Sequence, residues 1–402
     1  MLGKKTVLSG SIMAALLVMT GGAAASGFAL IEQNASGLGN AYAGGAAIAD
    51  DASTVFFNPA GMSRLKAKQV VLAGHLITPS AKFTGTGGAG TNMGGDAGST
   101  AFVPNAYFVM PVRDDLHFGI GLNAPFGLQT SYDPAWVGAH QAIKSSITTV
   151  NVNPSLSYQV NEALSLGLGV NYQQIKGELS ENRGGALGTA VVKGSDSTWG
   201  YNLGALYQLD ADTRIGMAYR SAMSYKLTGT VTTSLPFANG PVSLDVKLPD
   251  SFSVSAFHRY NDKWDVMADA TLTGWSSFKQ VKVLDANGAA ISNTPENWKN
   301  TVRVAVGVTH HYNEQWAARG GLAYDQAPVS DAFRTARVPD NNRTWLALGG
   351  QYQVSAAGAI DFGYAHLFIG DAKINATSPA PALVGVYKSS VNIVSAQYSY
   401  NF

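Results

Sequence analysis

The run Ala163-Leu164-Ser165-Leu166-Gly167-Leu168-Gly169-Val170-Asn171-Tyr172-Gln173 separates by parity into two kinds of side chain. Leu164, Leu166, Leu168, Val170 and Tyr172 fall on one parity, and Ala163, Ser165, Gly167, Gly169, Asn171 and Gln173 on the other. Successive side chains of a strand point to opposite faces, so this segment has one greasy face and one small polar face. Residues 148–160 repeat the pattern, with Val150, Val152, Leu156, Tyr158 and Val160 opposed to Thr149, Asn151, Asn153, Ser155, Ser157 and Gln159. So do Val302, Val304, Val306 and Val308 against Thr301, Arg303, Ala305 and Gly307. These segments run for roughly 10 to 15 residues, longer than the roughly 5 to 6 of a soluble sandwich strand and matching a tilted membrane strand.

Turn spacing extends the reading to the whole chain. Tight polar turns stand at Arg113-Asp114-Asp115, Asn161-Glu162, Asp210-Ala211-Asp212, Asn261-Asp262-Lys263, Asn313-Glu314-Gln315 and Ser355-Ala356-Ala357. Between them lie Gly-, Ser-, Asn- and Pro-rich connections near 84–99, 126–145, 180–194, 231–241, 284–296, 327–341 and 371–385. Six short turns alternating with seven long loops predict an all-β fold, a fourteen-stranded antiparallel transmembrane barrel with short periplasmic turns and long external loops. A closed barrel is one of only two ways to satisfy every backbone group inside lipid.

Composition agrees. Of 402 residues, 13% are charged and 46% apolar; glycine numbers 45 and cysteine is absent, which excludes disulfide scaffolds, thiolate zinc sites and cysteine nucleophiles. A formal charge of +1 is too balanced for a nucleic-acid partner, whose phosphates demand a cationic surface. No cofactor and no metal are expected. Gly85 to Gly98 lacks the Lys-Ser/Thr of a phosphate loop, Ser251 and Ser253 lack the G-x-S-x-G context, and adjacent His310 and His311 point to opposite faces of a strand.

Lys4 and Lys5, the apolar run 12–19 and the small residues 21–25 read as a secretory signal peptide over residues 1–25, and no later stretch approaches the length of a spanning helix. Residues 26–67 break the strand pattern with small residues and turn signals. They are expected to form a plug of short helices and turns inside a barrel made by residues 68–402, because a free tail would leave Phe28, Leu30, Ile31, Phe56 and Phe57 in water. Tyr398, Tyr400 and Phe402 end the chain on alternate positions. They read as a signal for the barrel assembly machinery or as an aromatic girdle, and both place the chain in the outer membrane of a Gram-negative bacterium.

Several segments together resemble the FadL/TodX family of outer-membrane transporters of hydrophobic compounds. They include Gly27-Phe28, Ser36-Gly37-Leu38-Gly39, Ala49-Asp50-Asp51-Ala52, the hatch motif Asn58-Pro59-Ala60, Asn123-Ala124-Pro125-Phe126-Gly127-Leu128, Leu248-Pro249-Asp250-Ser251, Thr273-Gly274-Trp275 and Asn297-Trp298-Lys299. The resemblance implies a fourteen-strand barrel plugged by its N-terminal hatch. Its cargo would be long-chain fatty acids or other apolar molecules moved passively across the outer membrane, among outer-membrane lipid and lipopolysaccharide. Carried over to this chain, an external groove would involve Phe126, Leu128, Trp136, Val137 and Ile143, and an apolar pocket beside the hatch would use Phe28, Leu30, Phe56, Phe57 and Phe118. A kinked third strand over residues 116–125, with Gly119, Gly121, Asn123 and Pro125, would open the wall sideways. Glycine and proline in a strand independently suit a broken ladder, although Gly119 and Gly121 equally suit making room for the plug. Arg259, Arg303 and Arg319 are candidates to meet a carboxylate head, or else lumen charges paired with aspartates. The rival functions are a diffusion porin, which would want an open bore, and an outer-membrane lipid hydrolase, which needs a nucleophile and a histidine.

Overall fold

The computed structural model describes residues 26–402, so the expected signal peptide lies outside the described residues. The wall is one antiparallel sheet of β1 (Gln69–Thr86), β2 (Ala101–Arg113), β3 (Leu116–Asn123), β4 (Gly127–Ser131), β5 (Lys144–Gln159), β6 (Leu164–Asn182), β7 (Thr189–Gln208), β8 (Thr213–Arg220), β9 (Met223–Thr232) and β10 (Gly240–Leu248). It continues through β11 (Ser251–Asn261), β12 (Trp264–Thr273), β13 (Gln280–Asp285), β14 (Ala290–Pro295), β15 (Thr301–His311), β16 (Trp316–Asp325), β17 (Arg343–Gln353), β18 (Gly358–Ile369), β19 (Ala372–Ala376) and β20 (Leu383–Asn401). Six pairs, β3/β4, β8/β9, β10/β11, β12/β13, β14/β15 and β18/β19, are single staves interrupted once, which leaves fourteen staves. The first and last close the cylinder from Gln69↔Asn401 to Thr86↔Val384. No sheet edge is left running the length of the wall to recruit another chain.

The parity read from the sequence is inverted relative to a soluble protein. Leu166, Leu168, Val170 and Tyr172 are 46%, 51%, 42% and 42% exposed, whereas Asn171 and Gln173 are each 1% exposed. Val302, Val304 and Val306 face outward while Arg303 and Ala305 are buried. An apolar outer surface of this extent is stable only against lipid, which makes the polar face the lumen. All six short turns fall where expected. Three expected loops, 180–194, 284–296 and 371–385, are largely strand instead, because β6 and β7, β13 and β14, and β19 and β20 continue pairing as hairpins, and 231–241 is strand only at its two ends, where β9 pairs with β10. A ladder between neighbours satisfies backbone groups in water as well as in lipid, so polar composition alone did not end these strands.

Inside the wall, residues 26–65 fold into short helical turns, Leu38–Asn40, Gly45–Ile48, Thr54–Phe57 and Pro59–Arg64. The Asn58 side chain caps the last of these by accepting from the Ala60 amide at 3.1 Å, and Pro59 follows it with its φ already helical. The plug touches the wall at backbone distance. A Cβ at Gly216 would overlap the Ala46 carbonyl oxygen, and one at Gly204 would overlap the Asn58 side-chain oxygen. Arg214 receives the end of the Gly45–Ile48 turn, donating from Nε to the Ala47 carbonyl at 2.7 Å and from Nη2 to the Ile48 carbonyl at 2.6 Å. At the closing seam, Gln69 Oε1 accepts from the Ala52 amide at 2.6 Å, and Gln397 Nε2 donates to the Asp51 carboxylate at 2.8 Å.

Candidate ligand channel

Above the plug lies a cluster of rings. Phe28, 1% exposed, sits with its centroid 4.8 Å from Trp275, 5.5 Å from Phe278, 5.6 Å from Trp298 and 6.1 Å from Phe126. Leu128 belongs to the same buried cluster. Trp136, Val137 and Ile143 do not: they pack with Phe83 and Tyr387, where Trp136 stacks on Tyr132 at 4.0 Å and donates from Nε1 to the Ala142 carbonyl at 2.7 Å. The residues expected to share one external groove are therefore divided between two sites. A further apolar recess of about 70 Å³ opens between Ile147, Ile175, Leu179, Leu227, Val246 and Phe278. The sequence offered no signal for it, because its walls come from strands far apart in the chain that meet only when the barrel closes.

Below the rings is a cavity of about 150 Å³ bounded by Leu30, Ile31, Phe56 and Phe57 of the plug and by Phe126 and Trp275 of the wall. Phe28 lies over it without lining it. Phe118 is a correction to the expected lining. It shares the outward parity of Ile120, while Gly119 faces inward, where a Cβ would collide with Met62 and Val55 of the plug. Gly119 thus makes room for the plug, as the alternative reading of the sequence allowed.

The third stave is broken. Its ladder with β2 ends at Ala106↔Leu122, and β4 is paired with β5 alone. Across the interruption at residues 124–126 the plug supplies the missing backbone partners. The Leu30 amide donates to the Pro125 carbonyl at 2.8 Å, and the Gly127 amide donates to the Phe28 carbonyl at 2.9 Å. Gln33 spans the two sides: its Nε2 donates to the Ala124 carbonyl at 3.0 Å and its Oε1 accepts from Asn105 Nδ2 at 2.8 Å. Pro125, without an amide hydrogen, could not have continued the ladder.

The three arginines named from the sequence are each paired with an aspartate: Arg303 with Asp269 at 3.7 Å, Arg319 with Asp361 at 2.5 Å and Arg259 with Asp265 at 3.4 Å. Arg220, which the sequence reading passed over, lines the cavity beside the plug. Its inward parity with Arg214 and Gly216 was the available signal. His311 meets Asp265 at 2.7 Å while His310 packs on Trp264 and Tyr312, so the two histidines do point apart. On the external side, burial pushes the Glu296 carboxyl up to about 8, against the opposing pull of a hydrogen bond from Trp298 Nε1 at 2.9 Å and of the Arg337 charge.

A lipid-facing barrel of fourteen staves, corked by its own N-terminal segment, defines a class of outer-membrane transport protein. Residues 16–402 match the model of the outer membrane protein transport family (OMPP1/FadL/TodX), and the chain belongs to that family. It is 34% identical to the Outer membrane protein P1 of Haemophilus influenzae over 88% of each chain. It is 30% identical to the Long-chain fatty acid transport protein of Escherichia coli, covering 93% of this chain and 95% of that one. Among solved structures, a Pseudomonas aeruginosa FadL homologue superposes with a TM-score of 0.87 at 27% identity, over 93% of this chain and 99% of that one. The toluene transporter TodX of Pseudomonas putida, at 18% identity and TM-score 0.71 over 92% and 98%, shares the fold. The protein resides in the outer membrane of a Gram-negative bacterium.

Proposed function

We propose that the chain is a passive channel for long-chain fatty acids or similar hydrophobic molecules, which enter through the external apolar cluster, lodge in the cavity beside the plug and leave sideways into the bilayer through the broken third stave. The observation that carries this reading is the unpaired stretch between β2 and β4, spanned by the plug through Leu30, Gln33 and Phe28. Each buried CH₂ of a cargo chain gains about 0.8 kcal/mol, so an apolar cavity extracts it from water, and a lateral exit spares it a return to water. The sugar layer of lipopolysaccharide is the barrier such a route bypasses. Movement of the segment around Phe28 and Leu30 would open it, because the same residues cover the cavity and complete the wall.

The test is uptake of labelled oleate by cells carrying Ala124→Trp, which fills the interruption from one rim. Uptake is expected to fall sharply while purified protein still binds oleate. Unchanged uptake would reject the lateral route. The aromatic C-terminus, with Tyr398, Tyr400 and Phe402 all on the outer face, is consistent with recognition by the barrel assembly machinery during insertion.

A further inference from the structure

The cavity beside the plug is apolar on the plug side but carries one cation with no counter-charge. Arg220, the last residue of β8, donates from Nη1 to the Asn171 side-chain oxygen at 2.5 Å and from Nη2 to the Phe56 carbonyl at 3.0 Å, with its guanidinium 4.3 Å from the Phe56 ring centroid. Both acceptors are neutral. Among the described residues no carboxylate lies within ion-pair distance of it, although Arg303, on the same cavity, is matched to Asp269. A guanidinium has five N–H donors, so most of Arg220's capacity is unused by these two bonds.

A second unused donor stands directly opposite. Asn202 is the ladder partner of Arg220, lines the same cavity and is 2% exposed. Its side-chain oxygen is occupied twice, by Asn171 Nδ2 at 2.9 Å and by Asn153 Nδ2 at 3.0 Å, which fixes the amide with Nδ2 on the other side. That Nδ2 has no hydrogen-bond partner. A buried unpaired amide and an uncompensated charge are each costly, and they adjoin. One group that satisfies both is an anion with two oxygens. The two aspartates on the cavity, Asp269 and Asp325, are both on staves other than those of Arg220 and Asn202.

We propose that Arg220 and Asn202 form the receptor for the carboxylate head of the cargo, with its hydrocarbon chain lying against Phe56, Phe57 and Leu30. This rests on the transport reading above and sharpens it: the channel selects acidic amphiphiles over neutral hydrocarbons of the same length. The pair is a specificity determinant; the apolar walls hold either kind of chain.

The experiment measures binding of oleate and of oleyl alcohol to purified, detergent-solubilised full-length protein, and compares the two affinities. In Arg220→Met the loss of charge-assisted hydrogen bonds is expected to cut oleate affinity by about ten- to a hundredfold, with a far smaller change for the alcohol. Arg220→Lys should recover part of the difference. Asn202→Asp supplies an internal carboxylate to Arg220 and should reduce the preference for oleate independently, which keeps the test alive should Arg220→Met not fold as judged by heat-dependent gel mobility. Equal losses for both ligands, or an unchanged preference in the folded variants, would overturn the proposal. Wild-type protein that binds the alcohol and not oleate would overturn it while leaving hydrocarbon transport standing. Binding of neither would sink the transport reading as well.

Discussion

Single atoms decide how closely the plug can sit. Gly216 and Gly204 are placed where any side chain would strike the plug backbone or Asn58. Gly216→Val is therefore expected to push the plug off the wall at a cost of about 1 to 3 kcal/mol and to raise single-channel conductance in planar bilayers. Glu296 gives a pH signature. Its carboxyl ordinarily titrates near 4.5 and is held at about 8 in the folded protein by burial. Between those values the native state keeps a proton that the unfolded state has released, so stability is greatest at the acidic end and declines as pH rises through the folded value. Hydrogen exchange at residues 296–300 should accordingly quicken from mildly acidic to mildly alkaline buffer, and Glu296→Gln should flatten the dependence. The candidate site was only partly legible at this scale. Phe28, Leu30, Phe56, Phe57 and Phe126 do gather around the cavity, but Phe118 faces lipid and Trp136 is packed elsewhere. Aromatic character marks burial or lipid contact equally well, and only parity within a strand separates them.

At the scale of elements, the interrupted third stave shows how local chemistry and distant partners combine. Pro125 has no donor to carry a ladder bond, and the pairing with β2 has already stopped at Leu122. Whether the break becomes a gap depends on what faces it, and here the plug fills it through Leu30 and Gln33. Gln33→Leu removes the bridge between Asn105 and Ala124, leaving buried polar groups unpaired at about 1 to 3 kcal/mol each. Faster amide exchange is expected in residues 101–105 and 124–131, with the closing seam of β1 and β20 unaffected; equal protection throughout would show that Gln33 is not the latch. The strands were legible because alternation is a local pattern. Their outer limits were not, because Gly- and Ser-rich sequence pairs as readily as it loops when a neighbouring strand extends beside it.

For the whole molecule, the cork and the wall are separable in principle, since the hydrogen-bonded cylinder closes through β1 and β20 without the plug. Removing residues 26–67 should leave a barrel that inserts but leaks: liposomes carrying it should swell rapidly in small sugars, whereas those carrying the intact chain should not. Equal swelling rates would mean that the plug does not seal the bore. The alternating faces, the turn spacing and the balanced charge determined by themselves that this chain is a fourteen-stave outer-membrane barrel, because period, length and polarity are properties of consecutive residues. Only the tertiary structure decided which arginine on the cavity stands without a counter-charge, which rings cover the cavity and where the wall is open. Each of those depends on side chains from staves far apart in sequence meeting across a closed cylinder, and no local pattern encodes which of them will face one another.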